Sequence, residues 1–160
     1  MSNRTPDMAS ATDRPATAAR LRNLRTRLLS LAAIQSDRLV NEELGRAGAR
    51  KWHYAALATL DEFGPASQAD LSRRTGIYRS DMVAVINELA DRGLVERSPN
   101  PADRRQNIIA VTKQGHRQLL ELDKLLTEVE DDVLAPLTPP EREQLTRLLA
   151  ALVDHHGRTM

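Results

Sequence analysis

The chain has 160 residues, enough for one domain with a substantial core, and no cysteine, which excludes disulfides, thiolate metal ligands and thiol redox switching. Hydrophobic residues make up 41% of it but aromatics only 2%, so the core must be built from Leu, Ile, Val and Ala, a composition that favours packed helices over a β-sandwich. The net charge of +1 permits a nucleic-acid partner without arguing for one.

Residues 1 to about 16 mix Ser, Thr, Ala, Asp and Pro without periodicity and are expected to form a disordered tail. The tail has no apolar h-region, and no apolar run in the chain approaches the roughly 20 residues needed to cross a bilayer. Neither a secretory signal nor a membrane span is therefore expected, and the chain is expected to be cytoplasmic. From residue 17, Leu21, Leu24, Leu28 and Leu31 recur at helical spacing, Ile34, Val40 and Leu44 extend the seam, and Gly45 and Gly48 punctuate its end. A second helix, "RKWHYAALATLDEF", stops at Gly64-Pro65. In "SQADLSRRTG", Ser67 and Asp70 resemble a capping box, and Gly76 supplies the stop. "IYRSDMVAVINELADRG" places Met82, Ile86 and Leu89 on one face, so two short helices joined at "TGI" have the form of a helix-turn-helix.

Two short β-type runs follow, "LVERS" and "NIIAVT", with the polar loop "PNPADRRQ" between them: a winged helix. Thr112 then caps a long helix to about Ala135, in which Leu119, Leu122, Leu126, Val129 and Val133 keep heptad-like spacing. Thr138, Pro139 and Glu141 start a last helix carrying Leu145, Leu148, Leu149, Leu152 and Val153. The expected fold is mainly α with a small β-wing. Its expected organisation is a tail over 1–16, a dimerisation helix over 17–48, a winged helix-turn-helix domain over 49–112 and C-terminal dimerisation helices over 113–156. The outer helices carry more apolar seam than a small winged domain can cover, so a homodimer is expected.

No G-x-S-x-G, P-loop or Rossmann glycine pattern is present, so no enzyme and no cofactor is expected. The four histidines, His53, His116, His155 and His156, offer no H-x-x-x-H pair, and no metal site is expected.

The segment "LADRGLVERSPNPADRRQNIIAVTKQGHRQL", Leu89 to Leu119, is similar to the MarR family of bacterial transcriptional regulators. It has the L-x-x-x-G-L-V-x-R end of a recognition helix, a D-x-R wing tip, and a strand closing in V-T-x-x-G. The resemblance extends over about residues 17–156. It implies a homodimer on double-stranded DNA, most simply a repressor on a pseudo-palindromic operator. Carried over residue by residue, it implies that Arg105 enters the minor groove with Asp103 orienting its guanidinium; Arg104 is then expected to meet phosphate or solvent, and Arg97, at the base of the wing, to anchor the backbone or pair with Asp103. The recognition helix would present Arg79, Ser80, Asp81, Val83, Ala84 and Asn87, with Tyr78 either stacking outward or packing against the preceding helix. Ser67, Gln68 and Arg73 are candidates for phosphate contacts. The family's small aromatic or anionic effectors make Trp52, His53 and Tyr54 candidate pocket residues, although at most two of three consecutive helical residues can face one cleft. The alternative, favoured on spacing, is that Trp52 or Tyr54 is core packing and His53 a surface group. Asp81 and the apolar Val83 and Ala84 keep a second reading open: a winged-helix protein–protein module that does not bind DNA.

Overall fold

The structure, a computed structural model, describes residues 16–157. All of the predicted tail except Ala16 therefore lies outside the described residues. The rest forms two compact units dividing after Ile34. In the first, the single turn α1 (Ala19–Arg22) ends at Asn23, and α2 (Arg25–Arg46) begins two residues later. The uninterrupted helix expected from residue 17 is thus broken at Asn23, a residue type that readily leaves helical geometry because its amide competes for backbone partners. Leu21, Leu24, Leu28, Leu31 and Ile34 are all exposed.

The second unit contains the winged helix-turn-helix. The helix α3 (Lys51–Phe63) ends at Gly64, β1 (Ala66–Ser67) leads into α4 (Gln68–Thr75), and α5 (Arg79–Asp91) follows a three-residue turn. Gly76 caps α4 in the left-handed region at φ 73°, a conformation that costs glycine no Cβ clash. The Ser67 hydroxyl accepts the Asp70 N–H at 3.2 Å and donates to the Asp70 carboxylate at 3.1 Å, so the expected cap forms, with its second bond between side chains. β2 (Val95–Pro99) and β3 (Asn107–Val111) make the wing hairpin. The sheet order is β1-β3-β2, all antiparallel, with Arg97 opposite Ile109 and Ala66 also opposite Ile109. The two-residue β1 is too short to show any periodicity in sequence.

The core lies where these elements meet. Ala56, Leu57 and Leu60 of α3, Leu71 of α4, Met82, Val85, Ile86 and Leu89 of α5, and Ile109 of β3 are at or near zero exposure. The 3.6-residue period of α5 accounts for this directly: 82, 85–86 and 89 point inward. Thr112 caps α6 (Lys113–Val133), its hydroxyl accepting the Gly115 N–H at 3.0 Å and donating to the Gly93 carbonyl at 2.7 Å. Leu119, Leu122 and Val129 of α6 are buried, while α7 (Pro139–Gly157) buries none of its residues and leaves Leu148, Leu152 and Val153 exposed. No helix among the described residues is long and apolar enough to cross a membrane.

Candidate nucleic-acid interface

Helix α5 turns Arg79, Ser80, Val83, Ala84 and Asn87 to solvent, whereas Asp81 is half-buried. Tyr78, at the N-cap, is 78% exposed, so it stands outward and does not pack against α4. A cleft of about 330 Å³ runs between α5 and the wing, lined by Ser67, Gln68, Ala69, Arg79, Val83, Arg105, Gln106 and Asn107. Residues taken separately from the wing tip, the recognition helix and the start of α4 thus share one concave surface. A second concavity, of about 440 Å³, continues it past Arg73, Gly76, Tyr78 and Arg79. Arg79 lies at the junction of the two.

Some of these side chains are already engaged within the fold. The hydroxyl of Ser67 is taken by the α4 cap, and Ser67 is buried. The Arg73 guanidinium pairs with Asp70, whose carboxyl is held below its ordinary range first by the Ser67 hydrogen bond. Gln68, at the first position of α4, makes no such commitment among the described hydrogen bonds.

The wing corrects one expected role. Asp103 does not grip the Arg105 guanidinium; its carboxylate accepts the Arg105 backbone N–H at 3.0 Å. That is an Asx turn, and it shapes the chain while leaving the guanidinium of Arg105 unpaired among the described residues. Asn100 repeats the device by accepting the Ala102 N–H at 3.0 Å, and the Asn100 N–H donates to the Gln106 carbonyl at 2.9 Å to close the tip. Arg104 and Arg105 are exposed. Arg97, expected to anchor the backbone or pair with Asp103, donates to the amide oxygen of Asn87. Asn87 is thus engaged with the root of the wing, about two turns along α5 from Arg79.

The three aromatic-cluster residues are not brought together. Trp52, 42% exposed, lines a cavity of about 490 Å³ with Asn41, Gly45, Ala49, Arg50 and Lys51. Tyr54 lines a different one, of about 520 Å³, against Val40, Asp123, Leu126 and Leu149. The roughly 100° step between consecutive helical side chains separates them. Tyr54 donates to the Asp123 carboxylate at 2.7 Å, and that hydrogen bond is the main cause pushing its hydroxyl pKa up to about 12.

His53 is no surface group either; it is buried at 4% exposure. Its Nδ1 accepts the Arg50 N–H at 3.1 Å, which caps the first turn of α3 and leaves the proton on Nε2, 2.6 Å from the Glu88 carboxylate. Glu88 also takes the Arg50 guanidinium, and Arg92, one turn further along α5, donates to the Gly48 carbonyl at 2.6 Å. Sequence reasoning missed this clamp of Arg50, Glu88 and Arg92. The i,i+4 spacing of Glu88 and Arg92 marks one face of a helix but not the distant turn it meets.

Burial lowers the His53 pKa, outweighing the raising effect of Glu88. The ring is thus held neutral in the fold while it titrates near about 6.5 in the unfolded chain. The unfolded state then binds the extra proton first, so stability is lost as pH falls below that value. Glu88 itself is held below the ordinary carboxylate range, first by Arg50, so its contribution persists until more acid pH. Urea midpoints are therefore expected to fall between pH 7 and 5, and His53→Gln, which cannot titrate, should flatten that segment. An unchanged slope in the variant would remove His53 as its source.

A MarR family model matches residues 48–106, the stretch from the α2–α3 turn to the wing tip. The HTH-type transcriptional repressor NicR of Pseudomonas putida is 29% identical over 101 residues, 63% of this chain, and the match spans 64% of NicR's own length. A probable transcriptional regulator from Pseudomonas aeruginosa shares 31% identity and superposes with a TM-score of 0.73 over 82% of this chain and 98% of its own. Bordetella bronchiseptica BpsR, whose DNA binding is regulated by 6-hydroxynicotinic acid, superposes at 0.74 with 23% identity over 82% of this chain and 94% of its own. Its likeness is one of fold. Together with the helix-turn-helix and wing that carry the match, these likenesses make the chain a member of the MarR family of transcriptional regulators.

Proposed function

We propose that the chain is a sequence-specific double-stranded-DNA-binding repressor that acts as a cytoplasmic homodimer on a pseudo-palindromic operator. The observation that carries this reading is the cleft joining Arg79 and Val83 of α5 to Arg105 of the wing and Gln68 of α4. With the N-terminal half of α5 in the major groove, Arg79 reaches base edges or phosphate, and Val83 and Ala84 meet thymine methyls. Arg105 enters the adjacent minor groove, where a narrow A·T tract concentrates negative potential. Arg104 and Arg73 serve phosphates, which position the protein without reading sequence. Exposed leucines on α2 and α7 support the dimer, because each buried in an interface is worth roughly 1.5–3 kcal/mol. Repression is supported by NicR.

The test is selection of bound duplexes from a random pool, followed by titration of the winning sequence against salt. Affinity should fall roughly a thousandfold or more between 50 and 200 mM salt if six or more phosphates are neutralised. Sedimentation should give twice the chain mass. No enriched duplex would favour the second reading, a protein-binding winged helix, which the near-neutral net charge and the exposed Tyr78 and Val83 support.

A small aromatic or anionic effector completes the proposal. Of the three aromatic-cluster positions, Trp52 has the surroundings for one, an exposed indole beside Arg50 and Lys51, whose pairs with Glu88 and Asp37 an anionic ligand would have to share. Trp52 is the sole tryptophan in the sequence, so its fluorescence reports binding directly. An aromatic carboxylate such as 6-hydroxynicotinate should quench it saturably, and a linear, non-saturating response across a panel of such acids would count against this site.

A further inference from the structure

Arg97 sits in the middle of β2, opposite Ile109, and Asn87 lies on the exposed face of α5. The bond from the Arg97 guanidinium to the Asn87 amide oxygen is, among the described residues, the one side-chain hydrogen bond that joins α5 to β2 or β3. Both residues are exposed, and an exposed polar contact of this kind adds little to the stability of a fold. It does fix geometry. An open cleft lies between Arg79 and Val83 on one side and Arg105 and Gln106 on the other, separating the wing tip from the N-terminal half of α5. The direction of the tip is therefore set at its root. On its other flank α5 is already held, by Glu88 to Arg50 and His53 and by Arg92 to Gly48.

We infer that Arg97 and Asn87 are positioning residues, which hold the wing at the angle from the recognition helix at which both grooves are engaged at once, and that neither touches DNA. The inference rests on the DNA-binding reading above. A major-groove helix and a minor-groove finger on one rigid body bind together only if their separation matches the duplex, and a loose joint loses affinity through entropy without losing a contact. Arg97 as a phosphate contact makes different predictions on every readout below.

Asn87→Ala, Arg97→Ala and the double variant would be titrated on the duplex selected by the wild-type chain, at several salt concentrations. Each single variant should lose about fivefold to tenfold in affinity, and the double should lose no more than the worse single, as expected of one shared interaction. All should keep the wild-type salt slope, because no phosphate contact has gone. Overturning results are a silent Asn87→Ala beside an Arg97→Ala whose slope falls by about one, or losses that multiply in the double. The cysteine-free sequence permits spin labels at Ser80→Cys and Ala102→Cys, diluted with unlabelled chain so that only intrachain distances are read. That distribution should be narrow and broaden in Asn87→Ala; an unchanged width also overturns the proposal. Failure of the wild-type chain to select any duplex would instead sink the DNA-binding reading, leaving the distance measurement to decide on the joint.

Discussion

Replacing Arg105 with alanine should lower affinity for the selected duplex by tenfold or more while leaving sedimentation and thermal unfolding unchanged. Arg105 is exposed, and its guanidinium bonds to no described residue. Truncation therefore removes nothing from the fold, and the loss falls on the bound state alone. The Asx turn at Asp103 sharpens the prediction, because Arg105 is aimed through its own backbone N–H. Asp103→Ala should consequently weaken binding too, with the salt slope preserved, whereas Arg105→Ala should reduce that slope by about one. Arg105→Lys should recover only part of the affinity, since an ammonium is more strongly hydrated than a guanidinium and lacks its planar fork. Full activity in Arg105→Ala would take the wing out of the interface.

Gly115→Ala should destabilise the chain by about 3 kcal/mol, the upper end of over-packing costs, and lower its melting temperature by roughly 6–12 °C. Gly115 lies in the first turn of α6, where an added Cβ would overlap the Leu94 carbonyl oxygen and press on Val111. Both obstacles belong to the wing hairpin or its lead-in, and one is backbone, so no rotamer change relieves the clash. Gly45 in α2 supplies the control. A Cβ there meets nothing within 4 Å, so Gly45→Ala should gain up to about 1 kcal/mol from helix propensity. Both are measured by thermal melts at one protein concentration, since association would otherwise shift the midpoint. Equal melting temperatures for the two variants would mean that α6 can move off the hairpin freely.

The helix-turn-helix and wing were legible in the sequence because their signals are local. Ser67 with Asp70, Gly76, Thr112 and Thr138 each mark an element end through partners three or four residues away, and the inward period of Met82, Ile86 and Leu89 needs only α5 itself. The broken start at Asn23 and the two-residue β1 fell below what periodicity resolves. At the candidate site, the outward face of α5 came from the family resemblance, and Asp81, counted on it, is half-buried; helical spacing limited Trp52, His53 and Tyr54 to at most two residues on one cleft. Roles that depend on a distant partner were not legible. His53 reads as surface until Glu88, 35 positions later, is folded against it. Arg97 reads as an anchor for the backbone or a partner for the aspartate six residues on until Asn87 is folded against it. The family resemblance gives the Asp103 carboxylate a side-chain partner, whereas it accepts the backbone N–H two residues on, a choice that residue type alone leaves open.

Thr112 and Gly115 together make the base of the hairpin a stiff pivot. A hydroxyl ties α6 to Gly93, the Thr112 N–H donates to the Leu94 carbonyl at 3.1 Å, and only a hydrogen atom separates Gly115 from the strand's lead-in. Rotation of the long helix has no slack there to dissipate in. Five residues of strand at about 3.3 Å each give an arm of roughly 16 Å. A tilt of about 4° at the pivot would carry the tip by about 1 Å.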